Sequence, residues 1–337
     1  MYNKLLYMFI VFSFAVGQTV KIPSIEFSPR KYICYYYDDS LLVDGRLNEQ
    51  QWEKAQWSDD FTDIRGDASH KLRFITKMKM IWNSKYLYIG AFLEEKDIKA
   101  KFLKRDTLLY KENNFEVFID PDGDTANYCE VEINALNTIW DLLLIKPYRD
   151  MKKPAITGWD INGIKTAVFI DGTINNSNDK DSCWTVEIAI PWKIFTELTT
   201  ASVPPKNYDQ WRVNFSRVEW QTVEVNKFSK KKKDANISYK KADYQVWSPQ
   251  GIVNMHYPEM WGYVQFSTEI VGKKNVEFIN KQEEKAKWLL RKIYYKERIY
   301  FSKNNRFTAD LNALGINNKK IPGFIFPPLV YCTPNMS

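Results

Sequence analysis

The densest run of potential chemistry in the chain is NNFEVFIDPDGDTANYCEVEIN, residues 113–134. It gathers Glu116, Asp120, Asp122, Asp124, Glu130 and Glu132, with no lysine or arginine among them. Carboxylates grouped in this way can hold calcium, serve as a pair of catalytic acids, or accept hydrogen bonds from sugar hydroxyls. An EF-hand loop requires Gly at its sixth position and Glu at its twelfth. Counted from Asp120, Gly123 is fourth and Val131 twelfth, so that motif fails. The three aspartates read instead as turn formers, with a calcium site of another kind left open.

Alternation decides which of these side chains can act together. Successive residues of a strand point to opposite faces. Phe115, Val117 and Ile119 therefore share one face of the first segment, and Glu116, Phe118 and Asp120 the other. In the second segment Cys129, Val131 and Ile133 form the apolar set, against Tyr128, Glu130, Glu132 and Asn134. If the apolar sets coincide, Glu116 must lie beside Glu130 and Glu132 on an outward surface. Glu187 of CWTVEIAI alternates with apolar neighbours and is expected to join them. Like charges side by side destabilise a sheet, so a cation or a hydroxyl-rich ligand should compensate. Tyr110, Trp140, Trp220, Trp247 and Trp261 lie near turns or strand ends, where rings could seat a sugar while carboxylates and amides bind its hydroxyls.

The elements that must position these groups are extended. LRFITKMKMIWNSKYLYIGAFLEE reads as two strands around Asn83–Ser84, and PDGDTAN as a hairpin connection between NFEVFID and YCEVEIN. KTAVFIDGTINNSNDKDSCWTVEIAIPW repeats the design, and WRVNFSRVEW and WGYVQF add further strands. Many short strands with turn chemistry between them predict an all-β, antiparallel β-sandwich over residues 32–268. LNEQQWEKA predicts one or two helical turns. NKQEEKAKWLLRKIYYKERIYF places Trp288, Leu289, Ile293 and Tyr300 at helical spacing, so residues 275–337 read as a C-terminal helical extension and tail. A shorter helix is expected in TADLNAL.

Bulk properties narrow the functional classes. The 48 lysines and arginines exceed the 41 acidic residues, a net charge of +7. Much of the surplus sits in NKFSKKKKDANISYKK, which reads as a solvated loop, and no nucleic-acid-binding module is recognisable. Leu5–Val16 is an apolar run too short to span a bilayer, with the small residues Ala15 and Gly17 at its end, so residues 1–17 read as a signal peptide and the chain as secreted. No later segment predicts a membrane span. Cys34, Cys129, Cys183 and Cys332 allow three disulfide pairings that spacing does not rank, and Cys129 reads as a buried thiol. Only His70 and His256 are present, which leaves little for histidine-based catalysis.

DGRLNEQQW, NNFEVFIDPDGDTANYCEVEINALNTIWDLLL, GTINNSNDKDSCWTVEIAIPW, WRVNFSRVEW and WSPQGIVNMHYPEMWGYVQF occur in that order between Asp44 and Phe266. Together they resemble the family 9 carbohydrate-binding modules, in particular secreted proteins in which such a module forms the body of the chain. The resemblance implies a β-sandwich that binds plant-type or marine polysaccharide, at chain ends in well-studied members, without cleaving it. It places a clamp aromatic at Tyr110, the motif carboxylate at Glu116, and polar ligand positions at Glu132 and Asn134. The second clamp aromatic belongs after WSP, where this chain has Met255 and His256; Trp140, Trp247 or His256 would supply that wall instead. The family implies no required cofactor, structural calcium in some members, and companion glycoside hydrolases as partners. A glycoside hydrolase using Glu116 with Glu132 or Glu187 is the chief alternative, and a partner-binding protein using the C-terminal helix is the other.

Overall fold

The computed structural model describes residues 20–68, 70–224, 237–316, 320–325 and 327–332, with side chains of 222–240 left out. The expected signal peptide and the Lys230–Lys233 run lie outside the described residues. Among the described residues thirteen strands form. They are β1 (Lys31–Tyr36), β2 (Thr62–Asp63), β3 (Thr76–Trp82), β4 (Tyr86–Glu94), β5 (Asn114–Asp120), β6 (Tyr128–Asn134) and β7 (Ile139–Leu144). The rest are β8 (Ala155–Ile156), β9 (Lys165–Asp171), β10 (Cys183–Pro191), β11 (Gln210–Glu224), β12 (Ile237–Val246) and β13 (Gly262–Ile270). Two α-helices accompany them, α1 (Gln50–Lys54) and α2 (Glu283–Asn304), with three short 3-10 turns.

Hydrogen bonding runs in the order β8-β7-β6-β5-β11-β13-β1-β3-β4-β10-β9, with β12 paired to β11 and β2 to β12. The path folds over into the two layers of a sandwich, with β8 and β9 as its ends. One core takes Phe115, Val117, Cys129 and Val131 from the β5–β6 layer and Met78, Ile89, Trp184 and Val186 from the β3–β4–β10 layer. Pairing is antiparallel except at β1, which runs parallel to both β13 and β3 and joins the two layers. Wholly antiparallel pairing was the expectation from local hairpins; β1 departs from it because its partners are distant in sequence. At the 120–127 turn, Asp120 accepts from the amides of Gly123 and Thr125, and Gly123 takes the left-handed conformation at φ +67°. The aspartates of that turn thus satisfy backbone donors that the reversing chain leaves open.

A compact unit spans Pro23–Pro147 and Pro154–Asn280, and a second holds Lys281–Ser337 with Tyr148–Lys153. In the second, α2 buries Ile293 against Leu314 and Ile316, flanked by Leu289 and Tyr300. Its Tyr294 hydroxyl donates to Asp150, and Asn305 ends the helix in the left-handed conformation at φ 52°. No helix forms in TADLNAL. There Thr308 and Asp310 side chains accept the amides of Asp310 and Asn312, an alternative to helical hydrogen bonds that these residue types favour. All four cysteines are free thiols, Cys129 buried among them. No described helix is long and apolar enough to cross a membrane.

Candidate functional site

The register of four strands assembles one row of side chains on the face of β5–β6 turned away from the core. Glu116 pairs with Glu132 and Ser216, and Glu132 with Trp140. One pair further along, Phe118 faces Glu130, and at the other end Asn114 faces Asn134. The period of two therefore brings Glu116, Glu130 and Glu132 together, as alternation requires once the apolar sets meet. They are not on an open surface, however. Exposure is 3% for Glu116, 5% for Glu130 and 1% for Glu132.

Asn134 fastens the segment leading into β5 at one end of this row. Its amide donates to the Phe102 carbonyl (2.8 Å) and to Glu112 (2.6 Å), while its oxygen accepts the amides of Leu136 (3.0 Å) and Thr138 (2.9 Å). Two donors and two acceptor positions are thereby used, the full capacity of an asparagine side chain. Asn134 is thus a loop clamp, which corrects its expected role as a ligand group. Asn134→Ala should lower stability by about 1–3 kcal/mol, because Glu112 and the Phe102 carbonyl lose their donor in a buried setting. Urea unfolding of the variant against wild type checks this.

Asn114 performs the equivalent task for the carboxyls. Its amide donates to Glu116 (2.9 Å) and to Glu132 (3.1 Å) and so holds both in one place. Sequence reasoning passed over Asn114, although its position two residues before Glu116 puts it on the same strand face. Among the described residues no arginine or lysine forms an ion pair with Glu116, Glu130 or Glu132. Burial pushes the Glu116 carboxyl up to about 7, against the Asn114 hydrogen bond. Burial, then the charge of Glu116, pushes Glu130 up to about 8. Burial and the charges of both neighbours hold Glu132 well above the usual carboxylate range. Near neutral pH the cluster keeps protons, so it can donate to a hydroxyl as well as accept from one.

Aromatic rings stand at two ends of this row. Tyr110 is 43% exposed, and its ring centre lies 6.1 Å from that of the buried Trp140, tilted by 38°. The indole N–H of Trp220 donates to the Tyr110 carbonyl at 3.0 Å and fixes the loop that presents the ring. At the other end, His256 Nδ1 lies 3.0 Å from the Tyr128 hydroxyl, and its ring meets Phe118 edge-on at 5.9 Å. Trp261 packs on both Phe118 and Tyr128 and donates to the Met255 carbonyl, which anchors the His256 loop.

Two expected members fall elsewhere. Trp247 is a core residue, 1% exposed, with ring centres of Tyr32 at 6.5 Å and Phe215 at 6.0 Å. Its ring lies so close to Gly262 that a Cβ there would come within 2.2 Å of it. Trp247 faces inward and cannot form a wall of the site. Glu187 lies in β10 of the opposite layer, where it accepts the amides of Asp44 (2.7 Å) and Gly45 (2.6 Å) and the Trp52 indole N–H (2.5 Å). It ties the DGRLNEQQW segment to the sheet and is not part of a carboxyl pair with Glu116.

The order of motifs, the sandwich and the carboxyl row coincide with a sequence match: residues 43–210, about half of the chain, match the family described as carbohydrate family 9 binding domain-like. The chain belongs to this family. The family is one of binding modules, generally non-catalytic, and its sandwich is the fold seen here. A structure of a Bacteroides uniformis protein described as carbohydrate-binding is similar over 71% of this chain and all of its own, at 12% identity and a TM-score of 0.50. Two structures of a family 9 module from Caldicellulosiruptor kristjanssonii also match, each over all of its own length. The cellotriose complex covers 75% of this chain at 16% identity and a TM-score of 0.44. The glucose complex covers 74% at 15% identity and 0.46. No curated protein matches the chain in sequence.

Proposed function

We propose that the sandwich binds the ends of a plant-type or marine polysaccharide, without cleaving it, at Tyr110 and the Glu116–Glu130–Glu132 row. The observation that carries this reading is a set of buried carboxyls, without cationic partners among the described residues, beside a half-exposed aromatic ring. A pyranose has one face of C–H groups for the ring and a rim of hydroxyls for the carboxyls. Hydrogen bonds between neutral groups contribute ~0.5–1.5 kcal/mol each, so two or three suffice to orient a sugar. Trp140 backs the Tyr110 ring, and His256, against Tyr128 and Phe118, is the proposed second wall.

The expected setting is extracellular, with companion glycoside hydrolases acting on the same polysaccharide. Binding at this site calls on no cofactor. The carboxylate oxygens of Asp120, Asp122 and Asp124 lie within 4.8 Å of one another, and any calcium there would be structural. Saccharide affinity is expected to be the same with and without EDTA.

The direct test is titration of ligands selected from a glycan array. Tyr110→Ala and Glu116→Ala should each weaken binding at least about tenfold, roughly 1.4 kcal/mol. Unchanged affinity in both variants rules this site out. Release of reducing ends that is lost in Glu116→Gln while binding persists would instead establish a glycoside hydrolase.

A further inference from the structure

Between β2, the loop that leads from it into β3, and the residues just before β1 lies a partly open cleft of about 540 Å³. Ligand pockets span ~300–1,000 Å³. Pairing of Thr62 with Val246 and of Asp63 with Gln245 fixes β2 against β12 and so sets one wall. Phe61, Leu72, Phe74 and Ile75 supply apolar surface, with Phe74 half-buried and Ile75 exposed.

The charged groups of the cleft answer one another. Asp63 accepts from Arg65 Nε (2.8 Å) and Nη2 (2.9 Å), and Asp243 accepts from Arg73 Nε (2.8 Å). His70 Nε2 lies 3.4 Å from Asp243. Arg30, Arg65 and Arg73 thus stand against Asp60, Asp63, Asp67 and Asp243, which leaves no surplus of positive charge to select an anion. Three polar atoms nevertheless stay open. Thr62 Oγ1 is buried without a hydrogen-bond partner. Arg30 gives Nη1 to the Asp60 carbonyl at 2.7 Å, and among the described residues nothing takes its Nε and Nη2. Burial lowers the Arg30 pKa, as expected of a guanidinium partly stripped of water.

A buried polar group without a partner is costly, and a ligand that supplies one recovers that cost. The guanidinium fork matches two adjacent hydroxyl oxygens, and a threonine hydroxyl both donates and accepts. An aromatic face suits the C–H groups of a pyranose. We propose that this cleft is a second saccharide site, which takes an uncharged sugar unit on Arg30 and Thr62 beside Phe74. It shares no residue with the Tyr110 site, so each can fail without the other.

Calorimetric titration of the full chain with cellotriose, xylotriose and mannotriose, and with trigalacturonate as the anionic control, tests it. The double variant Y110A/E116A, which lacks the first site, should still bind a neutral trisaccharide at one equivalent; Y110A alone serves if the pair does not fold. In that background R30Q and T62V should each weaken binding at least about tenfold. T62V removes a hydroxyl that bonds nothing in the free fold, so its urea midpoint should equal or exceed that of its parent. No neutral trisaccharide bound by Y110A/E116A would overturn the proposal, and binding by wild type would then leave the Tyr110 site standing. Wild-type strength kept in Y110A/E116A and lost in R30Q would uphold the cleft and remove the Tyr110 site. Tighter binding of trigalacturonate than of the neutral sugars, unchanged affinity in T62V, or a lowered midpoint for T62V would each overturn the assignment.

Discussion

Trp247→Ala is expected to destabilise the sandwich by about 3–5 kcal/mol, the range for truncating a large buried aromatic side chain. The indole fills the space between Tyr32 and Phe215 and lies directly on Gly262, so its removal opens a cavity bounded by strands that cannot close on it. Its backbone amide donates to the Phe215 carbonyl at 3.0 Å, a bond the substitution leaves in place, so the loss reports packing alone. Denaturant unfolding measures it. At temperatures where the variant remains folded, its saccharide affinity should match wild type. A destabilisation below about 1 kcal/mol, joined to a large loss of affinity, would return Trp247 to the binding site.

The second large effect is on pH. Glu116, Glu130 and Glu132 bind protons more tightly in the folded chain than in the unfolded one. Their contribution to stability is complete below the unfolded carboxylate pKa of about 4.3 and is lost as pH rises through about 7 and 8. Each such proton costs about 1.4 kcal/mol per pH unit across that window. Asp63 and Glu94 act in the opposite sense. Hydrogen bonds from Arg65 lower Asp63 despite its burial, and the Lys96 hydrogen bond lowers Glu94. Their contribution is present near neutrality and is lost on acidification through their folded pKa values. Thermal unfolding should therefore give a maximum on the acid side of neutrality and a clear fall from pH 5 to 8. Glu130→Gln with Glu132→Gln should flatten that fall, since neutral amides keep hydrogen bonding without the cost of ionisation. An unchanged slope in the double variant would show that the cluster does not hold its protons.

Legibility in the sequence followed the range of the interactions involved. The strands from β3 to β6 and the β9–β10 hairpin were readable because alternation and turn residues are local signals. So was the convergence of Glu116 with Glu130 and Glu132, which needs only the period of two and a shared apolar face. What fastens the segment leading into β5 was not readable. The hydrogen bonds from Asn134 to Phe102 and Glu112 join positions 32 and 22 residues apart, and no periodicity encodes them. Trp247 was misplaced for a related reason. A tryptophan near a strand end serves equally as wall or as core, and only the approach of Gly262 decides between them. Glu187 shared the alternation of Glu116 yet belongs to the other layer, because its own face is covered by Asp44, Gly45 and Trp52.

A crystal structure with an array-selected oligosaccharide bound measures the site itself. A sugar ring is expected on Tyr110, with hydroxyls within hydrogen-bond distance of Glu116 and of Glu130 or Glu132. A saccharide bound with Tyr110 uncovered and those carboxyls untouched would contradict it.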